Sequence, residues 1–212
     1  MIELRKPGWS FYPAWIFLSA LSVPIAFVLY FLLSRVLVTL LGDYVVVNGE
    51  QHITEDYYMS YFFVPLIGLV MGALQNTLLR RIFPHTKWWL PATFLGWSMG
   101  LLLVFGVRNV IVYFWSAEVY FASSTLDLNL VLLGLMVGVG QWLVLRRFLP
   151  KAGWWIVANL VGWGLVTLFT GRSLGQFGLI GLYILPAAAT AVTLAWLLNQ
   201  AAPGEPKFAG SQ

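Results

Sequence analysis

Two arginine pairs carry the groups in this chain best placed to do chemistry. Arg80-Arg81 and Arg146-Arg147 stand 66 residues apart. Each pair is followed by a proline and two tryptophans, Pro84 with Trp88-Trp89 and Pro150 with Trp154-Trp155. Guanidinium groups hold phosphate or carboxylate through several fixed N–H donors. Side by side, the two pairs would form a basic patch for an anionic ligand or a cardiolipin-like headgroup. The plainer expectation is that they anchor helix ends at the headgroup layer. Two amides, Gln75 and Gln141, precede the arginines, and Asn159 sits in the next apolar run. An amide in an apolar run needs a partner, and an interhelical hydrogen bond is the ordinary one. Arg35, Arg108 and Arg172 stand at the opposite ends of apolar runs. They could converge on an outward cavity, paired with Asp43, Glu118, Asp127 or an anionic ligand. Otherwise they snorkel separately to headgroups.

Other chemistries lack their residues. There is no cysteine, which removes disulfides, thiolate metal sites and cysteine nucleophiles. His52 and His85 fall on opposite sides of the expected membrane and cannot share a metal. No acid, lysine or histidine lies deep in an apolar run, which argues against proton coupling through a buried carboxylate. Glycine-rich phosphate loops, zinc-protease motifs and nucleophile elbows are absent from the sequence. Without axial histidines haem is not expected. No catalytic residue, metal site or cofactor is therefore assigned.

The elements that must position these residues are membrane helices. The chain of 212 residues is 60% hydrophobic and 9% charged, against roughly 25% charged in a soluble domain. Mean hydropathy is +0.82. Apolar runs near the length of a bilayer crossing occur at about 13–34, 59–79, 88–107, 127–145, 154–171 and 177–198. Each should be helical, because hydrocarbon leaves backbone groups no other partner. Pro24 and Pro186 fall within spans and should kink them. The first run is longer than a signal-peptide core and reads as an uncleaved span.

Lys and Arg set the orientation. Arg5, Lys6, Arg80, Arg81, Lys87, Arg146, Arg147, Lys151 and Lys207 gather on one side, leaving Arg35, Arg108 and Arg172 on the other. Both termini should be cytoplasmic. The net charge of +4 reflects this bias rather than nucleic-acid binding, since no long basic run exists. The first outer loop, about 42–58, contains Asn48-Gly49 between β-prone residues, which predicts a small β-hairpin. The second outer segment, about 108–126, is aromatic and suits the headgroup layer or an extension of the third helix. Residues 200–212 are small, polar and Pro/Gly-rich, a disordered tail by composition.

The chain repeats itself. Leu66–Gly100 and Leu132–Val166 share 14 identities when offset by 66 residues, among them the glutamines, arginines, prolines and tryptophans named above. Both copies would run in the same sense, repeat 1 about 59–108 and repeat 2 about 127–172, as parallel repeats about an axis near the membrane normal. Glycines spaced by four, Gly68/Gly72, Gly134/Gly138 and Gly96/Gly100, allow close helix approach. Trp15, Trp88 and Trp154 each precede an outer arginine by 18 to 20 residues. The sixth and first spans could thus be a third, degraded hairpin, giving an approximate three-fold ring.

Gly138–Trp155 reads G-x-x-Q-W-x-x-L-R-R-x-x-P-x-x-x-W-W. This resembles a motif that recurs in uncharacterised polytopic membrane proteins of bacteria. The first copy departs from it, with Asn76 and Lys87 in place of Trp142 and Gly153. The resemblance implies a bacterial inner membrane and no particular activity.

The expected architecture is all-α, one six-span domain over residues 1–199 with a duplicated helical hairpin and a small outer β-hairpin. The expected role is non-enzymatic: a binding, accessory or sensory component packed against membrane lipids, another membrane protein, or a second copy through glycine-rich faces, with no nucleic acid. The alternative is a passage protein for a small neutral or anionic solute. A continuous polar cavity lined by Gln75, Gln141 and Asn159 would favour passage.

Overall fold

The computed structural model describes residues 7–83, 86–114, 123–170 and 175–201, without the side chains of Ser60, 123–127, 168–170 and 175–182. Pro84, His85, Glu118, Arg172, the segment 115–122 and the tail from 202 lie outside the described residues, as does the Asp127 side chain.

Six helices are described: α1 (Phe11–Leu41), α2 (Thr54–Leu79), α3 (Trp89–Phe114), α4 (Ser123–Leu145), α5 (Trp154–Thr170) and α6 (Gly175–Ala201). Five contain stretches long and apolar enough to cross a membrane, while Trp154–Thr167 is a shorter apolar helix. At 1.5 Å per residue the 17 residues of α5 extend about 25 Å, short of the roughly 30 Å hydrocarbon layer. The first and third helices outrun their expected bounds. α1 continues to Leu41, and α3 absorbs the start of the aromatic outer segment as far as Phe114. Pro24 and Pro186 are both accommodated within continuous helices.

The helices close a circuit. Each packs on its sequence neighbours, and α6 returns to pack on α1. Between α1 and α2 lies the expected hairpin, β1 (Tyr44–Val47) antiparallel to β2 (Glu50–Ile53), with Val47 opposite Glu50. Its two turn residues, Asn48 (φ 52°) and Gly49 (φ 84°), both take the positive φ that a two-residue turn of this hand requires. Thr54 ties the hairpin to α1: its N–H and hydroxyl donate to the carbonyls of Asp43 (3.0 Å) and Gly42 (2.6 Å).

Glycines set the spacing of the ring. A Cβ on Gly68 would come within 2.7 Å of Trp97, and one on Gly134 within 2.4 Å of Trp163. Those are the same pairing, displaced by 66 residues. Gly96 and Gly100 likewise press on the Val137 and Leu133 backbones of α4. These glycine faces are therefore covered by the chain's own helices.

Candidate functional site

Three tryptophans from alternate helices meet inside the ring. Trp15 (α1), Trp89 (α3) and Trp155 (α5) are fully buried. Their rings stand edge to face in a triangle, with centroids 6.0, 5.9 and 6.0 Å apart. Such contacts add about 0.5–1.5 kcal/mol beyond area burial. Each indole N–H then needs an acceptor, because a buried orphan costs about 1–3 kcal/mol. Each finds one on the preceding helix of the circuit. Trp89 donates to Gln75 Oε1 (3.1 Å), Trp155 to Gln141 Oε1 (2.9 Å), and Trp15 to Thr190 Oγ1 (3.2 Å). The glutamine–tryptophan separation is 14 residues in both hairpins.

The amides are also joined to one another. Gln141 Nε2 donates to Gln75 Oε1 (3.2 Å) and to Thr93 Oγ1 (3.2 Å), and Gln75 Nε2 donates to Ser19 Oγ (2.9 Å). Indole N–H is donor only, so the amide atom facing each tryptophan must be oxygen, which fixes both amide orientations. Asn159 turns instead to its own helix and donates to the Trp155 carbonyl (3.0 Å). Ser19, Thr93 and Asn159 each follow a triangle tryptophan by four residues, one helical turn deeper.

Above this layer, Trp97 stacks edge to face with Trp163 (5.6 Å), and Trp163 with Tyr183 (5.6 Å). A cavity with about 20 Å³ of room for water centres lies between the two layers. Gln75, Gln141, Asn159, Trp97, Tyr183 and Thr190 are among its walls. The three intramembrane amides are thus brought to one place, though the space is closely confined. Among the described residues no Asp, Glu, Lys, Arg or His is buried. No cluster of metal-ligating side chains occurs among them either. The network offers hydrogen bonds and no charge.

The arginine-bearing bends lie together at one end. Phe83 and Phe148 touch across them (5.1 Å) and share a core cluster with Phe11, Trp15 and Leu197. Arg80, Arg81, Arg146 and Arg147 are all exposed there. Two are held by the residue one turn back. Arg146 stacks on Trp142 (5.0 Å). With its amide turned so that nitrogen faces Thr86, Asn76 donates to Thr86 Oγ1 (2.7 Å) and accepts from the Arg80 guanidinium (3.2 Å). Trp142 of the motif and the Asn76 that replaces it in the first copy thus serve the same end by different contacts. At the other end, Arg35 lies over its own helix neighbour Phe31 (5.1 Å), and Arg108 is exposed on α3. Their convergence with Arg172 falls outside the described residues.

Sequence reasoning picked out both glutamines and Asn159 but missed Trp15, Ser19, Thr93 and Thr190 as their company. It also aligned Trp15 with Trp88 and Trp154. Instead Trp15 meets Trp89 and Trp155, while Trp88 and Trp154 are more than half exposed (53% and 55%). The signal was available in the constant Gln-to-Trp spacing, which ends on the second tryptophan of each pair.

Compared with protein-family models, curated proteins and solved structures, the chain matches none.

Proposed function

We propose that this chain is a six-span integral membrane protein, built on a duplicated hairpin, that acts as a non-enzymatic binding, accessory or sensory component against lipid or a membrane partner. One observation carries the reading: the polarity is turned inside out relative to a soluble bundle. Large apolar side chains such as Phe27, Leu32, Leu95, Leu102 and Val192 face outward, while Gln75, Gln141 and Asn159 are buried. Water disfavours that arrangement, and hydrocarbon favours it. The 14 shared identities support duplication, and α5 counts as the sixth span by its place opposite α3 in the repeat. The exposed arginine bends support a cytoplasmic position for that end, and the motif supports a bacterial inner membrane.

The absence of native cysteine gives a clean topology test. Val46→Cys, at the hairpin, should react with an impermeant maleimide in intact cells. Lys151→Cys, at the second bend, should react only after permeabilisation. Equal labelling of both in intact cells would overturn the orientation. For the role itself, protein extracted in native lipid should retain a defined partner or an enriched lipid class by mass spectrometry. Bulk lipid and no partner would count against it. A passage role is the second reading: the three amides share one cavity, although it is confined to about 20 Å³. Purified protein in liposomes should then speed the entry of a small neutral solute.

A further inference from the structure

The hydrogen-bond network is a three-fold arrangement with one member missing, and the vacancy is defined by the groups left over. In the first two hairpins a glutamine accepts from the triangle tryptophan. In the third pairing, α6 with α1, Thr190 does so. Thr190 cannot reach inward as well, since its hydroxyl is committed to the Pro186 and Ala187 carbonyls (2.8 and 3.0 Å). Gln141 spends both amide N–H groups, one on Gln75 and one on Thr93. Gln75 spends one, on Ser19, and its second has no third amide to meet. Gln141 Oε1 accepts only from Trp155, which leaves it one further lone pair. Gln75 with its free donor and Gln141 with its free acceptor both line one cavity, together with Thr190. A further observation points there independently. The Trp97 indole N–H is buried without a partner, in a residue only 1% exposed, and Trp97 also lines this cavity.

We propose that this cavity is a binding site for one water molecule, which stands in for the missing third amide. The volume agrees: a water needs on the order of 10–15 Å³ of such space, and about 20 Å³ is present. Its chemistry agrees too. Water accepts from Gln75 Nε2 and Trp97 Nε1 and donates to Gln141 Oε1 and Asn159 Oδ1, within the two to four partners a buried water needs. A cation would meet N–H donors, and an anion would meet carbonyl oxygens, so the site selects a neutral molecule with both capacities. Larger solutes exceed the space. The site stands whether the chain is an accessory or a passage protein, and it rests on neither reading.

The test uses the full chain in nanodiscs with ¹⁵N-labelled tryptophan indoles. The Trp97 resonance is identified by its loss in Trp97→Phe. In the wild type it should show a cross-peak to a bound, slowly exchanging water. Thr190→Gln should supply the third amide, abolish that cross-peak and raise the melting temperature. An intact Trp97 resonance with no water cross-peak in the wild type would overturn the proposal, irrespective of whether the Thr190 variant folds. A cross-peak that persists undiminished in a folded Thr190→Gln protein would overturn it equally, since the water would then lie elsewhere.

Discussion

Replacing Gln141 with leucine probes the centre of the ring at nearly constant size. Gln141 makes three hydrogen bonds: it accepts from Trp155 and donates to Gln75 and Thr93. Interhelical hydrogen bonds in membrane proteins average about 0.6 kcal/mol each, so three contribute about 2 kcal/mol. The loss is uneven, however. Thr93 can return its hydroxyl to its own helix, and Gln75 Oε1 keeps Trp89. The Trp155 indole N–H has no alternative acceptor and is wholly buried, which adds a further cost of about 1–2 kcal/mol. Gln141→Leu should therefore destabilise by about 3–4 kcal/mol. Trp155→Phe removes the donor instead. In the double variant no orphan remains, so its loss should fall short of the sum of the two single losses by at least 1 kcal/mol. Unfolding in mixed micelles, followed by tryptophan fluorescence, measures all four corners of this cycle. Additivity within about 0.5 kcal/mol would mean that the two groups do not interact, and the network would lose its central bond.

Other outcomes follow from contacts nearer the surface of the ring. Gly68→Ala and Gly134→Ala each drive a methyl group into a tryptophan and should cost about 1–3 kcal/mol by thermal unfolding. Gly106→Ala and Gly164→Ala meet open space and should be neutral or raise stability by up to about 1 kcal/mol in the same assay. Gly49→Val forces a β-branched residue to a φ of 84° and should open the hairpin to protease, at about 1–2 kcal/mol, while the helices keep their melting point.

Much of this architecture is written in residue types that tolerate only one setting. Asn48-Gly49 specifies its turn because few other pairs accept two positive φ angles. The arginine–proline–tryptophan order marks each bend, and the two bends lie together. What pattern alone left ambiguous was rotation. Adjacent residues on a helix differ by about 100° in direction, so Trp88 and Trp89 are equivalent by composition and opposite in role. One faces outward, and the other closes the triangle. The third acceptor, Thr190, was illegible for a related reason. It shares no side-chain type with Gln75 or Gln141, and its place becomes apparent only when α6 is laid against α1. The reach of α1 to Leu41 was hidden because the first apolar run closes at about residue 34, ahead of the charged Arg35, which leaves Thr39 outside it. In the helix its hydroxyl simply bonds back to the Arg35 carbonyl (2.7 Å).

The circuit of helices has a seam rather than an end. Phe11 at the start of α1 and Leu198 near the close of α6 belong to one packed cluster, so that junction is closed by side-chain packing although no helix connection spans it. A circularly permuted gene should therefore assemble the same circuit of helices. It would join the close of α6 to the start of α1 through a linker and reopen the chain at the exposed Asn48-Gly49 turn.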